Sequence, residues 1–199
     1  MVTGPGRGLT LRPVSLDDDL RFRLAGFSDA GAIAELHAES WRRHYRGAFA
    51  DSYLDGDAVA DRAALWAERL READPGSHTI LAENDHGLVG FAHTIFGQDP
   101  RFGALLDNLH VAYGDKRRGI GSRLLAWTAQ PVVERGTGLY LWVLEQNLDA
   151  RAFYEACGAR QIERALVSPP GGIAGRLNGS PIGLRYAWAS PAVLLESSG

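Results

Sequence analysis

Residues 109–125 read LHVAYGDKRRGIGSRLL. A short apolar run stops at Val111. A polar, basic turn follows, then Gly119-Ile120-Gly121, then apolar residues at helical spacing. A strand, a glycine loop and a helix in that order aim backbone N–H groups and a helix N-terminus at one point, an arrangement that binds phosphate. Lys116, Arg117 and Arg118 sit at its mouth. The function turns on which phosphate-bearing ligand the loop holds.

Working outward toward the C-terminus, the spacing predicts a helix over 119–135, with Gly136 as its C-terminal cap. Pro131 inside it lacks an N–H and clashes with the carbonyl four residues back, so a kink near 127–131 or an early end is expected. Residues 139–144 are consecutively apolar and read as a central strand buried on both faces. A short helix over 149–157 closes at Gly158. Strands are predicted at 161–167 and 182–188, joined by SPPGGIAGRLNGS, a long connection expected to be flexible and exposed.

Toward the N-terminus, the strand ending at Val111 starts near Leu105. Strands at 78–83 and 88–96 flank Asn84-Asp85-His86-Gly87, which is hairpin chemistry. Helical spacing recurs over 59–70, through Ala63, Leu65, Trp66 and Leu70. It recurs again from Ile33 through Leu36 and His37 to Trp41, behind a cap at Ser28 or Asp29. Residues 51–56 read as a plain connection. Residues 9–14 and 20–25 compete as the first strand, and the helix that follows favours 20–25. Residues 1–19 are then an extension, 20–190 a single domain and 191–199 a tail.

The chain has 199 residues, 45% hydrophobic, with a net charge of −3, enough for one sizeable core. That charge argues against nucleic acid as the partner. One cysteine, Cys157, excludes an internal disulfide and suits a reducing cytoplasm. No apolar run approaches membrane-spanning length, and no spaced cluster of His, Cys and carboxylates suggests a metal.

The element order, the loop and the later segment WVLEQNLDARAFYEACGA (142–159) together resemble the GNAT superfamily of N-acetyltransferases. That family's loop reads (Gln/Arg)-x-x-Gly-x-(Gly/Ala), and here Lys116-Arg117-Arg118-Gly119-Ile120-Gly121 stands in its place. The second family signature maps onto Asn147, Ala150, Phe153-Tyr154 and Gly158. The segment SWRRHYRG, 40–47, also resembles bacterial members. Lys116 departs from the usual Gln or Arg, Tyr113 stands at a common proline position, and Arg117 occupies a position where glycine is frequent. A Cβ there restricts the backbone.

The resemblance implies an α/β (α+β) fold: a mixed, mostly antiparallel sheet with splayed central strands, flanked by helices. It implies acetyl-CoA as cosubstrate, no metal, and an amine as acceptor, with a small molecule favoured over a protein N-terminus or lysine. A non-catalytic acyl-CoA-binding module is the alternative from another class. Dimers are frequent in the family, so a homodimer is carried as an expectation. Amides from Arg118 to Ser122 would hold the pyrophosphate, and the three cations would neutralise remaining charge. The backbone around Leu109, His110 and Val111 would face the pantetheine arm and the thioester. Asn147 would bond a pantetheine amide or cap its helix, or both. Tyr154 would protonate the departing thiolate, its ordinary alternative being an aromatic packed on the sheet.

The amine must lose a proton. The resemblance implies Asp107 as the base, four residues before Val111, where some family members carry an acidic residue; strand alternation puts it on one face with Leu109 and Val111 and turns His110 to the other. Glu83, His37, His93 and His110 are weaker candidates. The family's acceptor site draws on the loop after the first helix and the loop before the last strand. Trp41, Tyr45 and Asp51 are the substrate candidates there, with His44, Tyr53 and Asp55 nearby, and the acidic residues would suit a cation. Cys157, at an apolar helix end with no base beside it, is expected to be inert.

Overall fold

The computed structural model describes residues 20–196; the alternative strand at 9–14, the extension 1–19 and residues 197–199 lie outside the described residues. Strands β1 (Arg21–Leu24), β2 (Ser77–Asn84), β3 (Gly87–Asp99), β4 (Gly103–Val111), β5 (Leu139–Leu144), β6 (Arg160–Leu166) and β7 (Ile182–Trp188) form one sheet. Their order is β1-β2-β3-β4-β5-β7-β6. Only β4 and β5 run parallel; the other neighbours are antiparallel. The helices are α1 (Ala30–His44), α2 (Asp51–Asp55), α3 (Ala58–Arg69), α4 (Ile120–Glu134), α5 (Leu148–Ala156) and α6 (Val193–Glu196). Among the described residues none is long and apolar enough to cross a membrane.

Alternation along β2 and β3 sorts the core into two layers. Leu81 and Phe91 meet Ile33, Ala34 and Trp66 of α1 and α3. Ile80, Ala82 and Ala92 meet Ile120, Leu124 and Leu125 of α4 on the opposite face. A third cluster, Trp41, Phe49, Tyr53, Leu54 and Leu144, joins α1, α2 and β5.

Three expectations are corrected. Residues 51–55 are helical rather than a plain connection, because Tyr53 and Leu54 are buried against Trp41 and anchor the segment; five residues are too few to display a period. Helix α4 keeps its expected bounds, running through Pro131 to Glu134 without an early end. The connection 167–181 is pinned: Ala50 N–H bonds the Arg176 carbonyl at 3.0 Å, and Asn178 N–H bonds the Ala48 carbonyl at 2.8 Å. Segment 191–196 is no loose tail, since Leu194 of α6 is buried in the α4 layer.

The feature that positions the site is the β4–β5 pair. It is joined only at Ala104–Leu139 and Leu105–Tyr140, and beyond those residues the two strands are not paired with each other. The joined end is held by two glycines. A Cβ on Gly103, whose φ is +86°, would run into the Gly138 backbone, and one on Gly138 would stand 2.6 Å from the Phe102 carbonyl. The Ala104 N–H bonds the Gly138 carbonyl at 2.9 Å.

Candidate active site

Along the open end, β4 is paired with β3 and has no strand on its other edge. The Ala112 N–H bonds the Val89 carbonyl at 2.8 Å, and Val111 lies opposite Gly90. Antiparallel pairing alternates its bonds, so the backbone groups of Val111 and Leu109 point away from β3, toward β5. Those N–H and C=O groups sit in an interior wedge and call for a partner. His110 is committed elsewhere. Its backbone faces β3, and its Nδ1 lies 2.8 Å from Ser40 Oγ on α1.

The loop after β4 ends in helix α4, capped by Gly119 in the left-handed conformation at φ +75°. The first helical bond from this end is Arg123 N–H to the Gly119 carbonyl at 3.1 Å. The amides ahead of it, through Ser122, have no intrahelical acceptor, and the helix dipole adds partial positive charge there. The Ile120 side chain is fully buried, so that residue offers only its backbone outward. The two loop glycines have separate reasons. Gly119 supplies a positive φ with open space around it. Gly121 lets Phe153 approach, since a Cβ would stand 3.1 Å from its ring. Arg117 is in the left-handed region at φ +64°, the only such non-glycine among the described residues.

The three cations are not equivalent. Lys116 Nζ turns back onto His44 Nε2 of α1, at 2.8 Å. Burial, with positive neighbours adding to it, pulls both groups below their ordinary pKa values. Arg118 is paired with Asp115 at 2.6 Å. Arg117 is exposed, and its guanidinium is in no ion pair among the described residues.

On the far side of the opening, Asn147 is the N-cap of α5, its side-chain oxygen accepting the Ala150 N–H at 3.2 Å. Its amide nitrogen remains for another partner. Tyr154, two turns further on, is buried against Phe153 and Trp188. Burial, with the neighbouring Tyr45 contributing, pushes its hydroxyl well above the usual tyrosine range, so it holds its proton. Cys157 is likewise pushed up by burial, against thiolate chemistry.

Asp107 departs from simple alternation. His93 pairs with Asn108 while Thr94 pairs with Leu106, which leaves Asp107 as the extra residue of a β-bulge. The bulge flips its face. Leu109 and Val111 pack in the α4 layer, whereas Asp107 bonds Arg69 of α3 at 2.7 Å and accepts the Asn108 side-chain N–H at 2.6 Å. Asp107 therefore shares the α1–α3 side with His110, contrary to the parity expectation. The weaker base candidates are engaged as well. Glu83 binds Arg23, His93 lies 2.8 Å from Thr79, and His37 accepts the Trp66 indole N–H at 3.1 Å. Burial holds His37 well below 6.5 and His93 at about 4.

A cleft of about 370 Å³ opens beside the unpaired end of β5, lined by Tyr45, Phe49, Trp142, Leu144, Leu166 and Val167 among others. Burial pushes Tyr45 up to about 12, and the charge of Asp107 adds to the shift. Tyr45 thus sits within electrostatic reach of both Asp107 and Tyr154. Trp41 lies beneath the cleft rather than on it, stacked on Tyr45 at 5.4 Å. Asp51 is turned outward and paired with Arg46 at 2.8 Å. The sequence reading missed Trp142, Leu166 and Val167 as lining residues, because they meet only through the pairing of β5, β7 and β6. The one local signal was a tryptophan inside the run 139–144; Trp142 is 37% exposed, in a strand otherwise buried on both faces as expected. Among the described residues no cluster of three or more His, Cys, Asp or Glu could hold a metal ion.

Comparison with known proteins agrees with this geometry. Residues 33–159 match the Acetyltransferase (GNAT) family. A probable N-acetyltransferase of Mycobacterium tuberculosis is 31% identical over 144 residues, covering 69% of this chain and 78% of that protein. The PaiA N-acetyltransferase of Thermoplasma acidophilum, solved in complex with coenzyme A, superimposes with a TM-score of 0.66 at 18% identity, over 83% of this chain and 97% of that one. A spermidine N-acetyltransferase of Vibrio cholerae gives a TM-score of 0.61 at 16% identity, over 91% and 99% of the two chains. The mostly antiparallel sheet with its opened parallel pair is the fold they share. On the strength of that match the chain belongs to the GNAT acetyltransferase family and is an N-acetyltransferase.

Proposed function

We propose that this enzyme transfers the acetyl group of acetyl-CoA to a primary amine of a small molecule by direct attack. The observation that carries the reading is the free edge of β4, where Leu109 and Val111 turn backbone groups into the wedge in line with the amide row of α4. An amide-bearing pantetheine arm would complete that edge as a strand does, and its pyrophosphate would lie on the amides from Arg118 to Ser122. Arg117, in no ion pair among the described residues, would meet remaining phosphate charge. The Val111 N–H would face the thioester carbonyl and stabilise the charge that grows on its oxygen during attack.

Tyr154 is assigned as the acid. Its buried hydroxyl is protonated across the physiological range and has no hydrogen-bond partner among the described residues, so it can donate to the departing thiolate. Asp107 is assigned as the final proton acceptor, acting through water past Tyr45, because the Arg69 bond turns its carboxylate from the wedge. Asn147 would offer its side-chain N–H to the pantetheine. A small acceptor is favoured because the pinned connection 167–181 and the α1–α2 segment bound the cleft on two sides. A protein terminus or lysine would need an open groove. The test is thiol release from acetyl-CoA across an amine panel, with Tyr154→Phe beside the wild type. Tight coenzyme binding with no turnover on any amine would leave only the non-catalytic binding reading.

A further inference from the structure

We infer that the acceptor amine carries an uncharged apolar group, aromatic or branched aliphatic, and is not a polycation. This rests on the acetyl-transfer reading of the same cleft. The cleft walls are Phe49, Trp142, Leu144, Leu166 and Val167, and their side-chain polarity is limited to the Trp142 indole N–H and the hydroxyls of Tyr45 and Ser168. No carboxylate among the described residues lines it. A polyamine would lose hydration on entering and find no counter-charge to replace it.

The carboxylates around the cleft are already occupied. Arg46 takes both Asp51 and Asp55. Asp61 accepts from Tyr53 at 2.7 Å, from Arg62 at 2.6 Å and from Arg176 at 2.9 Å. Glu145 is held by Arg164 at 2.9 Å, and Glu163 by Arg185 at 3.1 Å. The cationic partner of the aromatic wall is already in place: the Arg185 guanidinium lies 4.7 Å from the Trp142 ring centre and 5.0 Å from that of Tyr140, and it is itself paired with Glu163 and Asp99. An apolar group there removes its own surface from water against Trp142 and Leu166, which are 37% and 68% exposed. A volume of about 370 Å³ lies at the small end of the usual range for ligand sites.

Two measurements test the inference. The first is CoA release from acetyl-CoA with phenethylamine, tryptamine and isoamylamine, set against putrescine, spermidine and free lysine. The second is calorimetric titration of N-acetylphenethylamine and N-acetylspermidine into the protein with CoA, which needs no turnover. The apolar amines are expected to exceed the polyamines at least tenfold in kcat/KM, and only the apolar amide to bind. Leu166→Glu, an exposed substitution that puts an unpaired carboxylate at the lip, is expected to narrow or reverse both preferences. Spermidine or putrescine matching the apolar amines, or failure of N-acetylphenethylamine to bind, would overturn the inference. Binding of the apolar amide without turnover of any amine would support the ligand class and remove the catalytic reading instead.

Discussion

A Cβ on Gly121 would stand 3.1 Å from Cζ of Phe153, so the first turn of α4 and the middle of α5 touch with no room between them. The two sequence signatures, separated by a helix and a strand along the chain, are one contact in space. Whatever holds the glycine loop therefore also holds the helix that carries Tyr154.

That contact separates the roles of the loop glycines. Gly121→Ala is expected to cost about 1 kcal/mol through overpacking, and Phe153→Leu in the same chain should recover most of it. Gly119→Ala should cost about 1–2 kcal/mol through its positive φ, and Phe153→Leu should recover none. Urea midpoints of the four variants check both statements. Equal rescue at the two positions would refute the distinction.

Arg117→Gly should act in opposite directions on stability and on coenzyme affinity. Relieving a left-handed arginine is expected to raise stability by about 1 kcal/mol. Losing the unpaired cation should raise the KM for acetyl-CoA severalfold and flatten its dependence on salt. The checks are a melting curve and KM at two ionic strengths. A KM unchanged at low salt would take Arg117 out of coenzyme binding.

Tyr154→Phe removes the hydroxyl of a buried residue, with no hydrogen-bond partner among the described residues. The folded state should lose no stability. If the hydroxyl is the acid, kcat should fall by about 10²-fold or more, with little change in the KM for acetyl-CoA. Retention of kcat within threefold would reduce Tyr154 to packing.

Stability should fall in mild acid. Burial holds His110 at about 3 and His93 at about 4, and His37 well below its ordinary value. The unfolded chain titrates these groups near 6.5, so below that pH it binds protons the folded chain refuses. The stabilisation is complete above pH 6.5 and is lost on acidification at up to about 1.4 kcal/mol per pH unit for each histidine. Carboxylates such as Asp29, held low by Arg23, act in a separate window below about pH 4. Urea midpoints between pH 7.5 and 5 should slope downward, and a flat profile would contradict the burial of these rings.

Most strands and helices, and the strand–glycine turn–helix unit, were legible because each rests on local pattern: alternation, helical spacing and glycine placement. The contacts that decide the site were legible only in part. The bulge at Asp107 leaves no mark on the sequence, since one unpaired residue among nine still alternates on paper, yet it moves the carboxylate to the opposite face. The acidic residues at 51 and 55 looked suited to a cation because nothing in the chain order announces that Arg46 folds onto both. The cleft was invisible for a similar reason, being assembled from three strands and a helix–helix connection. Lys116 read as a phosphate ligand, and its bond to His44 joins residues 72 positions apart.

The clasp of Gly103 against Gly138 sets the angle of the wedge from its closed end, well away from any ligand. Backbone meets backbone there, so no side chain can swing aside to let the strands close or part. The opening is thus built when the chain folds, like a mould cast before its filling. The cost of separating two strands of a sheet is met once, in folding, and is not charged again at each catalytic cycle.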